Sequence, residues 1–273
     1  MEKEVYAQVK LVVKKLLDIN LEYYKDEQMK RRLDSWLVRV GAPSWPDYFR
    51  RLQTDEIELG RFRDYLTINV SAFFRDPERW QTLRQKVVPD LLEVSARRER
   101  AQGSVLPVPH LRIWSAGCSI GMEPYSLAIL MEELTSSRRH YLLATDLDRG
   151  ALAKARARGP YTADEVTNMS APQRAKYFQP GGPPYFVTDS LAKRVEFREL
   201  DLLADEFAPG MDLIVCRNVV IYFTEEAKGI LYRRFFEALC PGGVLFVGGT
   251  EVISHSTEIG FRSYGISFYQ RPE

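Results

Sequence analysis

Hydrophobic residues in the first sixty positions recur at helical spacing. Apolar side chains return every three or four residues over positions 5–16 and again over positions 29–40, which is the period of one face of an α-helix. Ser44 and Pro46 predict the start of a third helix, because serine is a preferred N-cap and proline suits the first turn. We therefore predict a small helical domain over residues 1–60.

The next segment, residues 61–110, keeps its helical character but becomes basic, and it ends in a linker that contains glycine and two prolines. Its run Arg97-Arg98-Glu99-Arg100 has two interpretations. The simpler one is a solvated helix end. The alternative is a basic surface that docks an acidic helix, since charge complementarity speeds the encounter of two partners.

From residue 111 onward, short apolar runs alternate with helical segments. The runs that predict strands are 111–116, 141–145, 195–200, 212–216, 243–248 and 266–271. Strands that alternate with helices predict a parallel sheet covered on both faces. Residues 161–194 interrupt this alternation, and their Gly-Gly-Pro-Pro turn between two aromatic runs predicts a small antiparallel β insertion.

Composition and charge remove several classes of function. The 273 residues carry 38 Lys and Arg against 37 Asp and Glu, a net charge of +1, so no overall field attracts nucleic acid or anionic lipid. The three cysteines form no CxxC pair, which argues against a zinc or dithiol site. No apolar run has the length of a membrane span or the character of a signal core. We expect a cytoplasmic protein with no metal, no nucleic-acid partner and no membrane insertion.

A glycine-bearing turn follows the first predicted strand. In the sequence SAGCSIGMEPYS, Gly117 and Gly121 let the backbone pass close to a ligand. The spacing is neither GxGxxG nor that of a P-loop. Glu123 would repel a pyrophosphate and attract a cation, whereas the alternative is that it only stabilises the start of the next helix.

The second strand ends in two aspartates with different predicted roles. An acidic residue at this place commonly accepts the ribose hydroxyls of an adenosine, because ligands of open α/β sheets bind beyond the carboxyl ends of the strands. Asp146 suits that role. Asp148 precedes a helical segment and suits an N-cap.

Later strands also end in polar residues. Asp201 follows the third strand and is placed to face an adenine edge. The fourth strand changes abruptly from apolar residues to Arg217 and Asn218, with Tyr222 four positions further on. A buried strand that ends in this way is typical of a strand that leads into a pocket.

Five motifs, in this order, resemble the bacterial chemotaxis receptor methyltransferases of the CheR family. They are INVSAFFRD, WSAGCSIGMEPYSLA, ATDLD, CRNVVIYF and LCPGGVLFVGGTE. Members of this family transfer a methyl group from S-adenosylmethionine to glutamate side chains of chemoreceptors. The resemblance implies a Rossmann-like class I methyltransferase domain over residues 111–273, mostly parallel with an antiparallel last strand and a β subdomain at 161–194. The connecting segment would carry the first motif.

The resemblance also implies the roles of individual residues. The cofactor-binding positions are Asn69, Ser71, Arg75, Gly117, Glu123, Asp146, Asp201, Leu202, Asn218 and Val219. Asn69, Ser71 and Arg75 would reach the methionine end of the cofactor. The pairs 201–202 and 218–219 would flank adenine. Arg75 and Tyr222 would be the catalytic pair, which borders the methyl group and orients the incoming carboxylate.

This assignment requires no general base. A glutamate side chain has an ordinary pKa of about 4.3, so it is ionised at neutral pH and is already a nucleophile. The work left to the enzyme is alignment and exclusion of water. By resemblance, the partners are the cytoplasmic helices of chemoreceptors, and we expect a monomer.

Two departures from the family pattern keep other interpretations open. Met122 stands where the family usually has an acidic residue, and Asp201 stands where asparagine is usual. The alternatives are methylation of another carboxylate substrate and a non-catalytic regulator that binds the cofactor. A nicotinamide-binding protein is disfavoured by the glycine spacing.

Overall fold

Helices precede a seven-stranded sheet in the structure, a computed structural model that describes residues 1–67, 71–105, 108–136 and 138–273. The contacts divide the chain into two units. Met1–Asn69 and Val220–Gly229 form the helical unit, and Val70–Val219 and Ile230–Glu273 form the sheet unit. A short segment that follows the fourth strand in sequence therefore belongs to the helical unit.

The helices, in chain order, are α1 (Lys3–Leu17), α2 (Asp26–Arg39), α3 (Trp45–Thr54), α4 (Glu56–Thr67), α5 (Pro77–Thr82), α6 (Val88–Ala101), α7 (Met122–Leu134), α8 (Arg149–Arg156), α9 (Ala171–Tyr177), α10 (Asp189–Ala192), α11 (Glu225–Ala238) and α12 (Ser256–Ile259). The strands are β1 (Arg112–Ala116), β2 (Tyr141–Asp146), β3 (Glu196–Glu199), β4 (Met211–Cys216), β5 (Leu239–Val247), β6 (Arg262–Gly265) and β7 (Phe268–Gln270). Leu21–Tyr23 and Val220–Tyr222 are 3₁₀ turns.

An aromatic core with one buried carboxylate organises the helical unit. Helix α3 begins where predicted, with Ser44 as its N-cap. The Trp36 ring nitrogen donates to the Tyr48 hydroxyl at 2.7 Å, and this hydroxyl donates to Glu58 at 3.0 Å. Glu58 is 2% exposed and also accepts from Arg51 at 3.0 Å. Because a buried charge must be paired, this chain of bonds fixes the packing of α2, α3 and α4.

The sheet confirms the predicted fold class. Its strand order is β3-β2-β1-β4-β5-β7-β6. The first five strands are parallel, and β7 pairs antiparallel with both β5 and β6. Strand β4 is buried at every residue, as expected of a strand covered on both faces. The sequence did not predict β6, whose residues RSYG are mostly exposed at the edge of the sheet.

The insertion at residues 161–194 contains less β-structure than predicted. Its antiparallel pairing consists of two isolated bridges, Tyr161 with Tyr185 and Phe178 with Val187. Helices α9 and α10 occupy much of the remainder. The Phe178 ring packs edge-to-face on Phe73 at 5.2 Å. An aromatic contact, rather than a ladder of strand hydrogen bonds, therefore holds this part of the insertion.

The connecting segment forms a long helical stretch. A single π-helical turn, Leu83–Val87, joins α5 to α6. Several of its basic residues are paired within the fold: Arg84 with Glu133, Arg97 with Glu273, and Arg98 with the buried Asp212. Position 60, where we place the end of the helical domain, lies inside α4. No helix in the described ranges is long and apolar enough to cross a membrane.

Candidate active site

Strands β1, β2 and β4 are neighbours, and the residues that follow their carboxyl ends make contact. The turn after β1 is tied to the end of β2, because the backbone N–H groups of Gly117 and Cys118 donate to the Thr145 carbonyl at 2.8 and 2.9 Å. Gly117 has φ +82°, and a Cβ there would lie 2.5 Å from Cγ2 of Val219. Glycine is therefore required at this position because of Val219, while the close approach of a ligand stays a prediction.

Asp146 lies at the end of β2 and holds the same turn. One carboxylate oxygen accepts from the Ser119 N–H at 2.6 Å, and the other accepts from the Asp148 N–H at 2.9 Å. Burial raises the pKa of Asp146 to about 6, and these two hydrogen bonds oppose the shift. Asp148 caps α8 by accepting from the N–H groups of Gly150 and Ala151.

A buried arginine lies between two carboxylates at the end of β4. Arg217 is 7% exposed, and its guanidinium is 2.5 Å from Asp76 and 3.9 Å from Glu123. It also stacks over the Phe246 ring at 4.7 Å. Burial lowers the pKa of Arg217, and Glu123 and Asp76 oppose this. The sequence predicts that the strand ending at Arg217 leads into a pocket, but it does not predict that Arg217 itself belongs to the site.

Glu123 is held from a second side. The Ser115 hydroxyl donates to its carboxylate at 2.8 Å. Burial raises the pKa of Glu123, while Arg217, the Ser115 hydrogen bond and the charge of Arg75 oppose the rise. Glu251 acts in the same direction as burial. Arg75 is thus electrically coupled to Glu123 and also acts on Arg217.

The backbone around these groups is strained at four non-glycine residues. Phe74, Asp76, Ser119 and Asn218 have φ values of 49°, 58°, 50° and 59°, a region that side chains disfavour. Phe74 and Asp76 flank Arg75. Left-handed residues of this kind cost about 1–3 kcal/mol each and persist where surrounding bonds fix them.

Those bonds are visible at Phe74 and Asn218. The Phe74 N–H donates to the buried Ser126 hydroxyl at 3.0 Å. The Asn218 N–H donates to Glu251 at 3.0 Å, and the same oxygen accepts from Gly248 at 2.6 Å. A Cβ on Gly248 would lie 2.6 Å from that oxygen. Sequence reasoning missed Glu251, for which the motif gave no chemical signal.

The loop after β3 uses Asp201 for its own turn. The carboxylate accepts from the Leu203 N–H at 2.8 Å, and the Asp201 N–H donates to Asp205 at 2.8 Å. Leu202 is 8% exposed, and its carbonyl accepts from Arg234 at 2.6 Å. The Leu200 N–H donates to the Asp146 carbonyl at 3.1 Å, which connects this loop to the end of β2.

The predicted site residues divide between the two units. The sheet unit contains Ser71, Arg75, Gly117, Glu123, Asp146, Asp201, Leu202, Asn218 and Val219. Tyr222 belongs to the helical unit, at the end of the 3₁₀ turn Val220–Tyr222. Asn69 lies outside the described residues. Within the described ranges, no cluster of three or more His, Cys, Asp or Glu side chains could hold a metal ion.

A cavity of about 460 Å³ in the helical unit has Tyr222 on its wall. We call it the cationic cavity, because Lys25, Arg31 and Arg32 line it and no carboxylate is among its described lining residues. The Arg32 guanidinium stacks on Tyr65 at 4.3 Å and donates to the Tyr65 carbonyl. Its Nε is buried without a hydrogen-bond partner. Burial lowers the pKa of Arg32, and Tyr65 and Tyr222 oppose this.

The ends of these strands bring together two partly buried carboxylates, Asp146 and Glu123, and the glycine turn at Gly117. A sheet of this order, with β7 antiparallel between β5 and β6, is that of the class I methyltransferases.

The family follows from sequence comparison. Residues 69–268 match the family described as "CheR methyltransferase, SAM binding domain", and residues 4–67 match "CheR methyltransferase, all-alpha domain". The chain belongs to the CheR methyltransferase family, and the resemblance read from the five motifs is confirmed.

Curated relatives cover almost the whole chain. The chemotaxis protein methyltransferases of Listeria innocua and Listeria monocytogenes are each 40% identical over 269 residues, which are 98% of this chain and 97% of theirs. The Escherichia coli chemotaxis protein methyltransferase is 34% identical over 247 residues, 87% of this chain and 80% of that protein. The chain is thus an S-adenosylmethionine-dependent methyltransferase of chemotaxis.

The pKa of Asp146 gives the first prediction. The ordinary pKa of Asp146 is 3.8 and its folded value is about 6, so its contribution to stability is full below pH 4 and is lost as the pH rises through 6. Without cofactor, the free energy of unfolding of the wild type should therefore fall relative to that of Asp146→Asn between pH 4.5 and 7.5, by on the order of 2–3 kcal/mol. Urea unfolding at several pH values measures this difference.

Asp164→Asn is the matched control, because Asp164 is an exposed carboxylate of the same unit. Its stability curve should run parallel to that of the wild type. A constant difference between wild type and Asp146→Asn over the whole pH range would show that Asp146 does not titrate in this window.

Proposed function

We propose that this chain is a protein-glutamate O-methyltransferase that acts on the cytoplasmic helices of chemoreceptors. The observation that carries the proposal is the cationic cavity, where three basic side chains and Tyr222 line one space with no carboxylate among its described lining residues. Such a lining favours an anionic substrate group, since like charges are absent from its described residues and its basic groups attract a carboxylate. Lys25 also lies 4.0 Å from Glu225. The names of the relatives support chemoreceptors as the partner.

The residues of this chain need only to align the reactants. S-adenosylmethionine, when bound, supplies a methyl group on a sulfonium. The leaving group is the neutral thioether of S-adenosylhomocysteine, which leaves readily. A glutamate carboxylate is ionised at neutral pH. Arg75 and Tyr222 orient it, because a guanidinium fork and a phenol hydroxyl together fix its angle. Their role is positioning rather than proton removal.

The cofactor roles follow the chemistry of each group. Asp146 accepts from the ribose hydroxyls, and Glu123 receives the methionine ammonium. Asn69, Ser71 and Arg75 reach the methionine end, and the pairs 201–202 and 218–219 flank adenine. Arg217 supports Glu123, because its positive charge at 3.9 Å favours the ionised carboxylate that an ammonium group needs.

The two departures from the family pattern fit this proposal. Met122 is 1% exposed and packs in the hydrophobic core of the sheet unit, so it takes no part in a charged contact. The Asp201 carboxylate closes its own turn. Neither residue supports a non-catalytic regulator over an enzyme.

The chemical nature of the product tests the proposal. With S-adenosylmethionine labelled in its methyl group and a receptor cytoplasmic fragment, label should enter the fragment and leave as methanol in mild alkali, because the bond formed is an ester. A fragment with glutamine at the acceptor positions should take up no label. Label that is stable to alkali would indicate N-methylation and contradict a glutamate acceptor.

Tyr222→Phe tests the orienting role. Loss of one well-placed interaction of roughly 1.4–3 kcal/mol should lower the single-turnover rate about ten- to hundredfold, while cofactor affinity stays nearly intact. The pH–rate profile should not move toward higher pH, since no base is removed. Tyr23→Phe is the control, because Tyr23 is 36% exposed in the same unit and should leave the rate unchanged. An unchanged rate in Tyr222→Phe would make Tyr222 a packing residue, and a new requirement for alkaline pH would contradict the base-free mechanism.

A further inference from the structure

Two segments of the helical unit that are far apart in sequence form a short antiparallel bridge. We call residues 20–25 the strap. The Lys25 N–H donates to the Tyr222 carbonyl at 2.9 Å, and the Thr224 N–H donates to the Tyr23 carbonyl at 2.8 Å. Between these bonds Tyr24 pairs with Phe223, and their rings meet edge-to-face at 5.2 Å. The main chain is thus held on both sides of Phe223.

The strap is itself well fixed. The Asn20 side chain accepts from the Glu22 N–H at 3.1 Å, and the Tyr24 N–H donates to the Leu21 carbonyl at 3.1 Å. Leu21 is 1% exposed. Lys25 then serves as the N-cap residue of α2. The strap is therefore a rigid support that is continuous with a helix.

The bridge sets where the Tyr222 phenol lies within the helical unit. Tyr222 lines the cationic cavity together with Arg32 of α2. Because Lys25 bonds to Tyr222 and α2 begins at the next residue, one hydrogen bond fixes the register of Tyr222 against Arg32. Strand β4, which precedes Tyr222 in the sequence, belongs to the sheet unit.

We propose that the strap is a positioning element for methyl transfer, which acts by holding Tyr222 through the Lys25 N–H. This inference rests on the orienting role of Tyr222 proposed above. It makes the N-terminal helical domain a contributor to the chemical step, in addition to any part it takes in binding substrate. The Lys25 N–H touches no reacting atom and acts only through Tyr222, whereas Lys25 and Tyr24 also line the cationic cavity.

The backbone at Lys25 allows a clean test. Lys25 has φ −65° and ψ 112°, and Tyr24 has φ −102° and ψ 150°. Proline fixes φ near −65° and favours an extended residue before it, so Lys25→Pro suits the dihedral angles of both residues. It removes the N–H and puts the ring Cδ in its place, which displaces the Tyr222 carbonyl. Lys25→Ala removes the same side chain and keeps the N–H, so the ratio of the two variants reports the loss of the bridge.

We expect Lys25→Pro to have a kcat roughly ten- to a hundredfold below that of Lys25→Ala, the loss that a misplaced group causes. The KM for S-adenosylmethionine and the affinity for S-adenosylhomocysteine should be the same in both. In a Tyr222→Phe background, the two variants should have equal rates, because the hydroxyl that the strap positions is already gone.

Two results would overturn the inference. Equal rates of Lys25→Pro and Lys25→Ala with Tyr222 present would show that the bond is not needed, and an undiminished effect of proline in the Tyr222→Phe background would show that the strap acts by another route. If Lys25→Pro does not fold, Tyr24→Leu replaces it in the same assays: its kcat should fall with Tyr222 present and not in the Tyr222→Phe background, and an unchanged kcat or an equal fall in both backgrounds would contradict the inference. A normal rate in Tyr222→Phe alone would instead contradict the role of Tyr222 in the proposed function.

Discussion

The buried guanidinium of Arg217 is the interaction on which the candidate site depends. Removal of an arginine from water is costly unless its charge is paired and its donors are bonded. The charge of Arg217 is paired with Asp76 at 2.5 Å and Glu123 at 3.9 Å and lies over the face of Phe246, while its Nε is buried without a hydrogen-bond partner. One side chain thereby ties together the end of β4, the first turn of α7 and the segment that carries Arg75.

The strained backbone of the site follows from this demand. Asp76 has φ 58° and precedes α5, and Asn218 has φ 59° directly after Arg217. The ion pair of Asp76 with Arg217 and the hydrogen bond from Asn218 to Glu251 hold these two conformations. These bonds offset the cost of the strained backbone. Arg75 lies between Phe74 and Asp76, which both have left-handed conformations.

Much of the fold could be predicted from the chain because its signals are local. Alternation of apolar runs with helical segments predicted the parallel strands, and the glycine turn indicated the edge of the sheet at which the candidate site lies. Strand β6 was missed because its residues RSYG have no apolar alternation. The insertion was predicted with more β-structure than it has, since the Gly-Gly-Pro-Pro turn marks a reversal but does not require a ladder.

The parts of the site that sequence reasoning missed depend on contacts between distant residues. Arg217 pairs with Asp76, 141 positions away, and no pattern near Arg217 in the sequence predicts this partner. Glu251 serves the site through a backbone N–H 33 positions away. The bond from Lys25 to Tyr222 is of the same kind. Motifs placed the residues expected to touch the ligand, whereas the residues that hold them became visible only in the fold.

Calorimetric titration with S-adenosylhomocysteine tests most directly the claim that the polar ends of β1, β2 and β4 hold the cofactor. We predict micromolar binding by the wild type and a loss of about 1.5–3 kcal/mol in Asp146→Ala, the range for hydrogen bonds to a charged group. Asp164→Ala, which changes an exposed carboxylate of the same unit, should bind like the wild type. Equal affinity of Asp146→Ala and the wild type would contradict the account.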